Sequence, residues 1–167
     1  PTANPLQGPA FSIEDWRKEY RYYAILQEAV REGVVPYYIS RPIHTRRFLA
    51  LPEVTWSPQI VLLRILEIGP FVVVNTLLLF TLGSVGLALL ARRLGLGPLP
   101  SALLFLVFAF GGHITAHLAV GHSMWAAYFL YPFVLSGLMD VIDGRGVWRL
   151  ALPLFAIVLQ GGFHLFF

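Results

Sequence analysis

Three groups of residues in this chain are of types that do chemistry, and each lies against apolar sequence. Glu14-Asp15-Trp16 places two carboxylates beside an aromatic residue. Such an acid can act as a general base on an acceptor hydroxyl or hold a divalent cation. Asp15 also follows Ser12 in the S-x-x-[DE] pattern of a helix start, where capping and the helix dipole favour an acid whatever the protein does. The second group is GGHITAHLAVGHSMW, with His113, His117 and His122. His113 and His117 are four apart and share a helix face, a spacing that can ligate one metal ion or place two imidazoles on one phosphate. No glutamate of the H-E-x-x-H pattern lies between them. Two other readings stay open: hydrogen bonding to backbone freed by Gly111, Gly112 and Gly121, and axial ligation of a macrocycle by one neutral imidazole. The third group is Arg41, His44, Arg46 and Arg47, with Arg64 close to the first apolar span. Guanidinium forks suit the phosphate of a lipid-linked donor, and equally suit lipid headgroups without specificity.

The elements that must position these residues follow from charge placement. The chain is 57% hydrophobic and 13% charged, with a mean hydropathy of +0.69, whereas soluble domains carry roughly 25% charged residues. Of its 21 charged residues, 15 lie in 1–67, and the remaining six are Arg92, Arg93, Asp140, Asp143, Arg145 and Arg149. That distribution excludes a soluble enzyme, a disordered tail and a collagen-like repeat. With no cysteine there are no disulfides, thiolate nucleophiles or Cys-ligated metals. The basic residues of 1–67 are interleaved with acids, which argues against nucleic acid as a partner.

Residues 1–67 read as a juxtamembrane helix and loop region. Ser12 and Gly33 bracket a helix over Ile13–Glu32, whose Trp16, Tyr20, Tyr23, Ala24 and Gln27 recur at spacings of three or four. An aromatic stripe with charges elsewhere on the wheel describes an amphipathic helix at a membrane surface. Prolines at 36, 42, 52 and 58 make the stretch to Pro58 an ordered loop without long regular elements. Residues 68–167 read as four transmembrane helices, at about 69–91, 101–120, 123–139 and 147–167. The fold class is therefore all-α, a polytopic transmembrane bundle with an external amphipathic surface helix and loop. The arginines at 92–93 and 145–149 put those turns in the cytoplasm and residues 1–67 outside. Asp140, Asp143, Arg145 and Arg149 read as solvated charge in a short loop. The chain opens on Pro1 and closes within an apolar run, as a piece of something longer does.

Taken in order, the features are more specific than any one alone. An acid precedes Trp16, a Tyr-rich helix follows, and Glu28, Gly33 and Pro36-Tyr37-Tyr38 lead into a Pro/Arg loop. Trp56-Ser57-Pro58 enters the first span, Gly86, Arg92-Arg93 and Gly95 close it, and Gly121-His122-x-x-Trp125 follows the second. This order resembles the N-terminal half of a GT-C superfamily bacterial membrane glycosyltransferase, departing from it in reading Pro36-Tyr37-Tyr38 where many relatives have Pro-x-Trp-Asn. The resemblance implies inverting transfer from a polyprenyl-phosphate sugar at the outer face of a bacterial plasma membrane. Asp15, with Glu14 beside it, matches the catalytic position; His122 and Trp125 match a polar substrate-binding site at the outer helix ends; Arg41, Arg46 and Arg47 would stabilise the lipid phosphate. A divalent cation is implied for some members only. The implied partners are membrane lipid and the lipid-linked sugar. A different class of reading is a non-catalytic membrane subunit, packed against other subunits or pigments, and a third is a transporter with the broken second span as its site.

Overall fold

The computed structural model describes residues 15–40, 45–48, 51 and 53–166. Ser12, Ile13, Glu14, Arg41 and His44 lie outside them. Helix α1 runs Trp16–Glu32 and ends on Gly33, whose φ of 71° is the left-handed conformation that lets the Val34 N–H reach back to the Ala29 carbonyl at 2.9 Å. Its start departs from the capping expectation. Asp15 is the residue just before the helix, and its carboxylate makes no cap hydrogen bond.

The inner face of α1 is covered by protein. Tyr23, Leu26, Phe48, Val54, Leu63, Ile68 and Phe71 form one buried cluster, with the Tyr23 and Phe71 rings edge to face at 5.4 Å. This cluster seats α1 on the 3₁₀ segment Pro58–Arg64 and on the first turns of α2 (Ile68–Arg93). Gln27 completes the joint by donating to the Leu66 carbonyl at 2.9 Å, so a backbone acceptor left by the irregular entry into α2 is satisfied. The proline-marked loop forms a two-stranded antiparallel ladder, β1 (Tyr38–Ser40) with β2 (Thr45–Arg47), pairing Tyr38 with Arg47.

Three helical segments are long and apolar enough to cross a membrane: Ile68–Arg93, Pro98–Ala119 and Ser123–Ile142. The second consists of α3 (Pro98–Phe110) and α4 (Gly112–Ala119), broken at Gly111. The third is a 3₁₀ stretch, Ser123–Leu130, continued by α5 (Tyr131–Ile142). Helix α6 covers Trp148–Leu159, 12 residues or about 18 Å at the usual rise. It stops short of a full span, because Gly161 at φ 80° turns the chain against the Glu53 carbonyl before a last 3₁₀ turn, Gly162–Phe166.

Small residues bring these segments together. A Cβ on Gly83 would meet Phe129 Cβ at 2.9 Å, and one on Gly86 would meet the Phe133 ring at 2.7 Å. Close approach of this kind is how apolar helices gain packing where lipid supplies no hydrophobic drive between them. Leu79, Ile114, Ala126, Ala127, Phe129, Leu130 and Ile157 fill the contact. Helix α3 contributes no buried residue, and its outward leucines and phenylalanines have the composition of a lipid-facing surface.

The charges near Asp140 are not merely solvated. Asp140 is 8% exposed and accepts from Arg93 at 2.7 Å, Arg145 at 3.2 Å and Arg149 at 3.2 Å, while Arg93 also reaches Asp143 at 2.7 Å. The four elements meeting here, the ends of α2 and α5, the turn, and the start of α6, are tied by charge. The aspartate stands two residues before the end of α5, where it faces Arg93 and Arg149 rather than solvent.

Candidate functional site

The residues that the sequence marks around Asp15 and the histidines come together where the start of α1 meets the turn after α4. The turn is shaped by Gly121, at φ 99°, whose missing side chain leaves room for the backbone of Asp15 and Trp16. Any Cβ there would overlap the Trp16 amide. Two hydrogen bonds hold the junction: the Asp15 N–H donates to the Val120 carbonyl at 3.1 Å, and the Trp16 indole N–H donates to the Ala119 carbonyl at 3.0 Å. The last carbonyls of α4, which have no partner within the helix, are thus taken up by the start of α1.

This docking aims the Asp15 carboxylate at an imidazole. His122 Nε2 lies 2.8 Å from Asp15 Oδ2, and His122 Nδ1 lies 2.8 Å from His117 Nδ1. A neutral imidazole has one N–H and one lone pair. If His122 donates Nε2–H to the carboxylate, its Nδ1 must accept, so His117 carries its proton on Nδ1. The Nε2 of His117 has no partner among the described residues and is then a lone pair able to take a proton. Trp125, from the 3₁₀ stretch, stacks flat on the His117 ring with centroids 3.9 Å apart and planes at 6°, fixing its orientation. His113 stands edge-on to both, 4.5 Å from His117 and 5.1 Å from Trp125.

A cavity of about 260 Å³ opens over this chain of groups. His117, His122 and Trp125 line it together with Lys18, Glu53, Met124 and His164. Lys18 and Glu53 are paired at 2.6 Å. Partial burial works against the Lys18 charge, but the hydrogen bond to Glu53 and the neighbouring acids outweigh it, so its pKa is raised and the ammonium persists. Behind the cavity wall lies a second acid. Glu19 is 2% exposed, and burial lifts its pKa to about 7, although the Ser123 hydroxyl, donating at 2.6 Å, opposes the rise. Its Oε1 has no partner. Ser123 in turn lies 2.9 Å from the Tyr23 hydroxyl, which burial pushes up to about 12, and Thr55 continues the set to the Gln160 carbonyl. The hydrogen-bonded file thus connects α1, the 3₁₀ stretch and the end of α6 beneath the site.

The structure does not gather every residue singled out from the sequence. Glu14 and Arg41 lie outside the described residues. Arg46 and Arg47 stand on β2, where Arg47 is exposed and does not line the cavity. Among the described residues no group of three or more His, Asp or Glu is placed to hold a metal ion, and His113 and His117 meet ring to ring. Lys18, Glu53, Glu19 and Ser123 join the site without a motif that marks them in the sequence. Lys18 and Glu19 were within reach, lying three and four positions from Asp15 and so on its side of α1. Glu53 carries no local signal; only the packing of the loop under Gly161 brings it to Lys18. No family model, characterised protein or solved structure matches the chain, so the case for a function rests on this geometry.

Proposed function

We propose that the chain is part of a membrane glycosyltransferase of GT-C type, which transfers a sugar from a polyprenyl-phosphate donor at the outer face of a bacterial plasma membrane. The observation that carries the reading is the chain of contacts Asp15, His122, His117, with 2.8 Å at each step, ending on a histidine that lines a cavity. Transfer requires that an acceptor hydroxyl lose its proton as its oxygen attacks the sugar's anomeric carbon. In the proposed step His117 Nε2 takes that proton, its Nδ1 proton shifts to His122, and the Asp15 carboxylate stabilises the imidazolium that results. Asp15, expected from the sequence to be the base itself, then acts through His122 as a positioning residue. The bond from the anomeric carbon to the lipid phosphate breaks, and the phosphate leaves with its charge facing Lys18.

A second reading, a non-catalytic subunit packed against other membrane proteins or pigments, is favoured by α3, whose Leu99, Leu103, Leu106, Val107 and Phe110 are exposed while Phe105 and Phe108 pack on the bundle. Radiolabelled sugar transfer from polyprenyl phosphate, by membranes that express the protein, tests the first reading. Label in the acceptor above that of control membranes supports it. No transfer from any polyprenyl donor tried, together with a visible chromophore in the purified protein, overturns it in favour of the second.

A further inference from the structure

At the end of the bundle away from the histidines lies a larger and differently built hollow. Helix α2 is 26 residues long, so about 39 Å separates its two ends. Around its Arg93 end an open groove of about 540 Å³ runs between α2, α5 and α6, within the range of ligand pockets. Its floor is apolar, formed by Leu130, Phe133, Gly137 and Ala156, with Leu89 and Leu152, both more than half exposed, along its rims. Gly137 makes the groove possible, since a side chain there would overlap the Arg149 carbonyl and push α6 away from α5.

The mouth of the groove is charged and aromatic. Asp140, Trp148 and Arg149 line it, and the Arg149 guanidinium lies 5.1 Å from the centre of the Trp148 ring. Three guanidinium groups, of Arg93, Arg145 and Arg149, share two carboxylates, Asp140 and Asp143, so one positive charge is left over. Arg145 is the outermost, its side chain 57% exposed. The first turn of α6, which has no side-chain cap, ends at the same place, and its dipole adds to the positive field. Trp148 is 59% exposed at this boundary, the depth that tryptophan prefers at a bilayer surface.

We propose that this groove binds an anionic phospholipid, of phosphatidylglycerol type, with an acyl chain along the apolar floor and the headgroup phosphodiester against Arg145 and the Arg149–Trp148 pair. The apolar length excludes a purely ionic ligand, and the surplus charge distinguishes this lipid from a zwitterionic one. Basic pockets between spanning helices bind anionic headgroups on the same physical basis. The assignment is independent of the site at the other end.

The test uses Trp148 as the reporter. The purified chain is reconstituted in zwitterionic lipid with increasing fractions of brominated phosphatidylglycerol or brominated phosphatidylcholine. The quenching of Trp148 is taken as the difference between the parent and Trp148→Phe. The expected result is half-quenching at about a fivefold lower fraction of phosphatidylglycerol, the effect of roughly one unneutralised guanidinium at a membrane surface. Arg145→Gln should bring the two lipids close to equality, and Ala156→Leu, which narrows the floor, should weaken quenching by both. Equal quenching in the parent, or a preference unchanged by Arg145→Gln, overturns the proposal. So does full protection by excess inorganic phosphate, which would make this a site for the free anion.

Discussion

Two aspartates, Asp140 on α5 and Asp15 ahead of α1, each draw separate elements together, and their surroundings are built in opposite ways. Asp140 has a side chain only 11% exposed and both of its oxygens accept from arginines. The carboxylate is saturated, and it ties α2, α5 and α6 at their ends. Asp15 has a side chain 47% exposed and meets one imidazole, which passes the contact to a second imidazole that ends at a cavity. A carboxylate held on both oxygens by arginines resists the loss of its partners. An open-ended file ending on a free nitrogen can accept a proton and give it back. The contrast separates a joint from a candidate site more clearly than the residue types do, because both clusters contain an aspartate and bases at similar separations.

Four substitutions test this contrast. The largest effect is expected for Asp15→Asn, which keeps an acceptor for His122 but removes the charge that stabilises an imidazolium. Sugar transfer should fall by about 10²- to 10⁴-fold, the usual contribution of acid–base catalysis, with expression and melting unchanged. Full activity in that variant would remove Asp15 from the relay. Gly121→Ala forces a side chain into a positive-φ turn and against the Trp16 backbone. It should lower stability by about 3 kcal/mol, seen as an earlier melt in detergent, and disconnect Asp15 from His122 at the same time.

Glu19 gives a pH signature of comparable size. Between its ordinary value of 4.5 and about 7 the folded chain holds a proton at Glu19 that the unfolded chain has released. Stability from this group is therefore full below about 4.5, falls as pH rises through that window, and is flat above it, by on the order of 3 kcal/mol in all. Melting temperature measured against pH in Glu19→Gln should lose this slope; an identical slope would show that other groups set it. The smallest effect is expected at the other end, for Arg145→Gln. With its side chain 57% exposed and its neighbours still paired, it should shift stability by less than about 1 kcal/mol. A larger shift in the detergent melt would mean that the joint depends on its outermost arginine.

Much of the fold was legible from charge and glycine placement. The uncharged runs located three spanning segments to within a few residues, and Gly33 ended α1 where its type required. The aromatic stripe of α1 was legible as a face but not as to what covers it: Tyr23 and Gln27 meet Phe71 and Leu66, residues some forty positions away, and no local pattern reports that. Asp15 showed the opposite difficulty. Its position after Ser12 fits a helix cap, and only the approach of the Val120 turn shows that its carboxylate is directed to His122 instead. The loop charges at 140–149 looked solvated because a short polar turn usually is; the inward direction of Asp140 depends on where α5 ends relative to Arg93.

Composition and local spacing along one chain settle the membrane-crossing character, the helical class and which titratable groups stand beside apolar sequence. Whether a carboxylate caps a helix, ties elements together or meets an imidazole was decided only by tertiary structure. The physical reason is one of distance. Asp15 and His122 are 107 positions apart, Arg93 and Asp140 are 47 apart, and contacts that long-range exist only once α2 has set its two ends in space and the glycines at 121 and 137 have let the other elements close on them.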